Sequence, residues 1–152
     1  MATLHLMIGL PCSGKTTFAR QLANETGALV LALDAWHLKL WGDDVGDIKH
    51  DERHVRIEEI MWDVAAHVLK LGGDVILDYG CWARAERDDY RSRAKTIGAD
   101  FKLNYMDVPR DELFRRLEMR NQNPTDDVFV IPMEEMERYI PLFHPPMEDE
   151  LG

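Results

Sequence analysis

In GLPCSGKTT, residues 9–17, two glycines, a lysine and a threonine stand at offsets that suit the holding of a phosphate. Gly9 and Gly14 let the backbone fold tightly and turn its N–H groups inward on an anion. Lys15 is placed to reach β- and γ-phosphates, and the Thr16 hydroxyl to ligand Mg²⁺. A helix starting near Lys15 adds the positive end of its dipole. Cys12 and Ser13 lie inside the same cradle; for Cys12 a packing role is expected rather than a redox one. Thr17 has two readings, contact with an α-phosphate or membership of the first helical turn. Further along, Asp34, Asp78 and Asp107 each close an apolar run. Arg116 and Arg120, four residues apart, share one face of a helix. Two guanidiniums aimed at one place suit the charge on a transferring phosphoryl group; the bland alternative is a solvated basic face.

The elements that must position these groups are legible as punctuation. TLHLMI (3–8) reads as a strand running into the glycine turn. Phe18 and Leu22 give the following helix an apolar side, and Gly27 stops it. ALVLAL (28–33) is a continuous apolar run, expected to be a strand buried on both faces and to end in Asp34. Residues 34–50 read as irregular or a short helix, with GDDVGD as a solvated acidic loop. Ile57, Ile60, Met61, Val64, Val68 and Leu71 recur at helical gaps over 51–71, closed by Gly72 and Gly73. VIL (75–77) is a third strand, RAERDDYRSRAKTIG (84–98) a charged surface helix, and FKLNYM (101–106) a fourth strand. Pro109 opens a helix where its missing N–H does no harm. NQNPTDD (121–127) is a polar loop, Pro132 opens a last helix to about Leu142, and the tail FHPPMEDELG is expected to be loosely held.

Strands alternating with helices predict an α/β three-layer fold with a parallel sheet of four or five strands in the order 2-3-1-4. Ligands of such sheets sit at the carboxyl ends of the strands, where Gly9, Asp34, Asp78 and Asp107 fall. One domain over 1–152 is expected, with a lid region over about 110–131. The chain is 45% hydrophobic and 30% charged, with net charge −10. That acidity argues against a broad basic face for nucleic acid. Two cysteines make neither a disulfide framework nor a zinc pattern. His50 and His54 are four apart, but without further ligands a metal site is not expected there. No signal peptide or membrane-length apolar run is visible, and the cytoplasm is the expected address.

These blocks, in order and spacing, resemble the small P-loop kinases of the polynucleotide kinase, zeta toxin and chloramphenicol phosphotransferase group. The likeness runs from about Thr3 to Tyr139 and rests on GLPCSGKTTFAR, LDAW, VILDYG, MDVPRDELFRRLEMR and FVIPMEEMERY. The loop motif alone is shared by many unrelated enzymes; the later blocks make the group specific. The resemblance implies a Mg²⁺·ATP-dependent phosphotransferase. Lys15, Thr16 and the loop residues hold ATP, Asp34 is the general base, and Arg116 and Arg120 act from the lid helix, with Arg120 also touching nucleotide. Asp78 either holds Mg²⁺ or orients Asp34 and the acceptor. Tyr79, rather than a glutamate, follows Asp78, which favours transfer over hydrolysis.

One position departs from the pattern. Where polynucleotide kinases carry an arginine three residues after the base aspartate to grip the acceptor's phosphate, this chain has His37. Asp34, Trp36, His37 and Trp82 are therefore expected to border an acceptor that is a small molecule bearing a hydroxyl. A 5′-hydroxyl polynucleotide kinase and a non-catalytic or slowly hydrolysing nucleotide-binding module are the alternatives. The acceptor's identity and the oligomeric state are not written in the sequence.

Overall fold

Residues 1–125 and 128–151 are described by the structure, a computed structural model. Four strands, β1 (Thr3–Ile8), β2 (Leu29–Ala32), β3 (Val75–Asp78) and β4 (Asp100–Tyr105), form one all-parallel sheet in the order β2-β3-β1-β4. The helices are α1 (Lys15–Thr26), α2 (Leu33–Trp41), α3 (His50–Lys70), α4 (Arg84–Thr96), α5 (Arg110–Gln122), α6 (Met133–Tyr139) and α7 (Glu148–Leu151), with a 3₁₀ turn at Ile140–Leu142. The expected order is the observed one.

Side-chain alternation along the strands builds the three layers. Leu4, Leu6 and Ile8 of the central β1 face α3 and α4, packing with Ile57, Met61, Ala65, Leu69, Tyr90 and Ala94. Met7 of β1 and Ile76 of β3 point the other way, onto Ala19, Leu22 and Ala23 of α1. A third cluster, Leu117, Phe129, Ile131 and Met136 with the half-buried Leu38 and Phe114, ties α5 and α6 to α2 beside the phosphate loop. No described helix is long and apolar enough to cross a membrane.

Several local expectations are corrected. The second strand is a sheet edge, not a strand buried on both faces: Leu29 is 39% exposed, because no strand covers its outer side. It ends at Ala32, and Asp34 stands in the first turn of α2 rather than at a strand end. The inward stripe of α3 is Ile57, Met61, Ala65 and Leu69; Ile60, Val64 and Leu71 face solvent. Alanine completes that stripe where the helix must approach the sheet closely. Phe18 is also exposed.

The tail is not loose. Glu150 of α7 is buried and accepts hydrogen bonds from Arg87 Nε at 2.8 Å and Nη2 at 3.3 Å, and from the Met147 N–H at 2.8 Å. Arg87, itself buried within the otherwise charged α4, donates through Nη1 to the carbonyls of Cys81 and Trp82. Two buried charges are tolerated here because each is paired and nearly saturated with hydrogen bonds. Glu150→Ala strands the guanidinium and is expected to lower the unfolding free energy by about 3–5 kcal/mol. Urea denaturation measures it; a change below about 1 kcal/mol would show that the pair contributes no more than a surface one.

Candidate active site

The phosphate loop lies between the end of β1 and the start of α1. A Cβ on Gly9 would come within 2.6 Å of Ser13 Oγ and 3.2 Å of the Met106 carbonyl, so the turn closes only on glycine. Gly14 caps α1 with φ of 91°, in the left-handed region that glycine enters freely. Cys12 is left-handed as well, with φ of 67°. Lys15 Nζ donates to the carbonyls of Gly9 and Leu10 at 3.0 and 2.9 Å. Burial pulls the Lys15 ammonium below its ordinary pKa, while Asp78 and Asp34 pull it back up. Trp82 Nε1 donates to the Gly9 carbonyl from across the cleft at 3.3 Å, and its ring packs on Tyr139.

A cleft of about 560 Å³ opens at the carboxyl ends of the strands, with Cys12 through Thr17, Asp34, Asp78, Trp82, Arg116 and Arg120 on its walls. The neighbouring strands β2 and β3 pair Ala32 with Asp78, which brings the base candidate's segment beside the metal candidate. Thr16 Oγ1 donates to Asp78 Oδ2 at 2.8 Å. Burial raises the pKa of Asp78, opposed by that hydrogen bond and by Lys15. Asp34 is 61% exposed by side chain, with His54 Nε2 3.5 Å from its Oδ1. Thr17 lies in the first turn of α1 and on the cleft wall, so both of its readings stand.

Arg116 and Arg120 reach the loop from α5, held down by the buried Leu113 and Leu117. Arg116 donates to the Cys12 carbonyl at 3.2 Å and to Glu112 at 3.0 Å. Arg120 donates to the Phe129 carbonyl at 2.6 Å, with its Nη1 3.5 Å from Cys12 Sγ. Arg115 turns outward onto Glu112. Of the expected lid over 110–131, residues 126 and 127 lie outside the described residues.

The residues fit a nucleotide's phosphates. Among the described residues, Ser13 Oγ and Arg120 Nε are buried without a hydrogen-bond partner, and both residues line the cleft around the glycine cradle. Thr16 and Asp78 offer a hydroxyl and a carboxylate side by side, the hard oxygen donors that Mg²⁺ takes.

The expected acceptor border is corrected at two positions. His37 is fully buried and Trp36 lies on an outer side of α2, and neither lines the cleft. The reason is that α2 starts without an intervening loop, so its turns present Asp34 and Ala35 inward. His54, Glu58 and Glu86 take that place. His54 and Glu58 sit four apart on α3, a spacing visible in sequence; what sequence lacked was the direction of that face. Burial holds the His54 imidazole below its ordinary pKa, the neighbouring Asp34 opposing. Asp44 is also corrected: it is no solvated loop residue but accepts from Arg53 and both His37 and His50.

Glu58 is pushed up to about 7 by burial, with Glu86 adding to the shift. Between its ordinary 4.5 and about 7 the folded chain holds this proton and the unfolded chain does not. Unfolding free energy from this group therefore falls as pH rises through that window. Glu58→Gln is expected to flatten the slope, gaining about 1–2 kcal/mol near pH 8 and nothing near pH 4, after allowing for partial solvation. Thermal melts across that range check it; equal shifts at both ends would remove the titration as the cause.

Fold and cradle together define a class, a P-loop nucleoside triphosphate-binding domain with the fold of small kinases. A family model described as an AAA domain, AAA_33, matches residues 4–146, and the chain belongs to that family. It is similar to a chain of the Pnkp1/Rnl/Hen1 RNA repair complex at 26% identity and TM-score 0.76, covering 93% of this chain and 43% of that one. A sugar kinase from Janibacter sp. HTCC2649 matches at 19% identity and TM-score 0.70, covering 100% of this chain and 83% of that one. A gluconokinase from Sinorhizobium meliloti 1021 matches at 15% and 0.65, covering 97% and 77%. This chain thus spans less than half the length of the RNA-repair protein it matches. No curated protein sequence matches.

Proposed function

We propose that the protein is a Mg²⁺·ATP-dependent kinase acting on the hydroxyl of a small molecule. The observation that carries it is a single cleft in which the phosphate loop, the Thr16–Asp78 pair, the exposed Asp34 carboxylate and two arginines meet. Mg²⁺·ATP would supply the γ-phosphoryl group, whose bond to the β,γ-bridging oxygen breaks as the bond to the acceptor oxygen forms, with ADP as the leaving group. The loop's N–H groups and Lys15 bind the phosphates, and Thr16 and Asp78 hold the metal. Asp34 takes the proton of the attacking hydroxyl. Arg116 and Arg120 offset the charge that develops on the transferred group. Closure of the 110–131 lid excludes water and directs the group to the acceptor.

Glu58 and Glu86 shape the acceptor choice. They add carboxyl groups to the wall of the same cleft as Asp34, where a phosphodiester would be repelled. With its pKa near 7, Glu58 offers an O–H donor to a polar acceptor over part of the neutral range. Neutral polyols and amine-bearing alcohols suit this wall. A 5′-hydroxyl polynucleotide kinase is the second reading, favoured by the likeness to the RNA-repair chain. A γ-phosphate transfer screen over sugars, aminoglycoside-type antibiotics, nucleosides and 5′-hydroxyl oligonucleotides separates the two. Labelling of oligonucleotides alone would replace the first reading with the second. Slow hydrolysis with no acceptor-stimulated turnover would leave a nucleotide-binding module.

A further inference from the structure

His37 from α2 and His50 and His54 from the first turns of α3 converge behind the cleft wall. Their ring centroids are 4.5–5.4 Å apart, and Phe129 packs edge-on against His37 and His50 at 5.4 Å. One ring nitrogen from each lies within 4.8 Å of the others. Each ring also has a nitrogen that faces a carboxylate. His37 Nε2 and His50 Nδ1 meet Asp44 Oδ1 at 2.6 and 2.5 Å, and His54 Nε2 meets Asp34 Oδ1 at 3.5 Å. Arg53 occupies the other Asp44 oxygen at 2.8 Å, which makes Asp44 an outer partner rather than a ligand.

An ionised carboxylate only accepts, so His37 Nε2 and His50 Nδ1 carry ring protons where they meet Asp44. In the neutral rings the lone pairs are then left on His37 Nδ1 and His50 Nε2. His37 Nδ1 faces His54 Nδ1 at 2.9 Å. That gap is bridged either by the Nδ1–H of His54 in one of its tautomers or by a metal ion. Imidazoles held at one nitrogen by a carboxylate, as His37 and His50 are by Asp44, show the ligand and outer-partner pattern of transition-metal sites.

We propose that His37, His50 and His54 form a binding site for a divalent transition metal of the zinc class, distinct from the Thr16–Asp78 position. Nitrogen ligands suit such ions and not Mg²⁺. At metal–nitrogen distances of about 2.0–2.1 Å, small ring rotations close the set. Metal on His54 Nδ1 also fixes the Nε2–H that faces Asp34 and so orients that carboxylate; this last consequence rests on Asp34 being the kinase base, and the binding site does not.

The test is titration of the chelator-stripped full chain with Co²⁺ alone, followed by Zn²⁺. One equivalent of Co²⁺ is expected to give the intense visible absorption of a nitrogen-ligated ion, displaced by Zn²⁺ and not by excess Mg²⁺. His50→Ala should weaken Co²⁺ binding at least 10-fold with nucleotide binding unchanged, and Lys15→Ala should leave the cobalt spectrum intact. No stoichiometric binding, or parental affinity in His50→Ala, overturns the site and leaves a shared proton between His37 and His54. Loss of the spectrum in Lys15→Ala overturns it too, placing the ion in the nucleotide cleft. Should His50→Ala not fold, ¹⁵N spectra of the parent decide. Zn²⁺ must shift the ring nitrogens of all three histidines, and an unmoved His50 signal rejects the assignment. These readouts stand whether or not the protein transfers phosphate.

Discussion

Asp34→Asn is expected to bind Mg²⁺·ATP as the parent does and to transfer phosphate roughly 10²–10⁴-fold more slowly. The amide keeps the size of the side chain but cannot take up the proton of the acceptor hydroxyl. The position is well suited to such a test, because Asp34 is 61% exposed by side chain and its removal from the ion balance leaves no buried charge unpaired. The substitution leaves the contacts of the phosphate-binding groups in place, Thr16 hydrogen-bonded to Asp78 and Lys15 to the loop carbonyls. Single-turnover transfer and nucleotide binding, measured side by side, give the two halves of the answer. Unaltered transfer would remove Asp34 from the base role. A loss of affinity as large as the loss of rate would make it a ligand of the nucleotide or its metal instead.

The second large effect is expected from Lys15→Ala, with affinity for Mg²⁺·ATP falling roughly 10²–10³-fold, the range of one or two charge-assisted hydrogen bonds to phosphate. Lys15 Nζ holds the carbonyls of Gly9 and Leu10, so the residue also braces the loop before any ligand arrives. Trp82 Nε1 and the Gly80 carbonyl still hold Gly9 after the substitution, which preserves the turn. The lost affinity therefore reports the missing charge more than a collapsed cradle. Calorimetric titration gives the constant, and an affinity within about threefold of the parent, roughly 0.6 kcal/mol, would show that the phosphates lie elsewhere.

Local signals carried the layout of this protein, and distant pairings did not. Strand order follows from alternating elements around a glycine turn, and each strand's carboxyl end lies within two residues of Gly9, Asp34, Asp78 or Asp107. The α3 stripe was misassigned because apolar residues outnumber the places that bury them, and because Ala65 does the packing that Val64 was expected to do. Glu150 and Arg87 are 63 residues apart, so no window of sequence joins them. His37 was legible as a departure from an arginine but not as a buried residue. Its partners come from the 42–49 connection and from α3, and only the packing of α2 on α3 brings them together.

The junction of β2 with α2 has a consequence for how such a protein changes acceptors. No loop separates Ala32 from Leu33, so the Asp34 backbone is carried by the sheet, in fixed register with Asp78 through Ala32. On the kinase reading proposed above, reactive geometry is thereby delegated to the sheet. The cleft-facing Glu58 of α3 lies downstream of that joint and can be recharged without moving the Asp34 backbone. On that reading, chemistry and choice of acceptor become separable modules of one scaffold, a fold that a sugar kinase and a gluconokinase share at 19% and 15% identity.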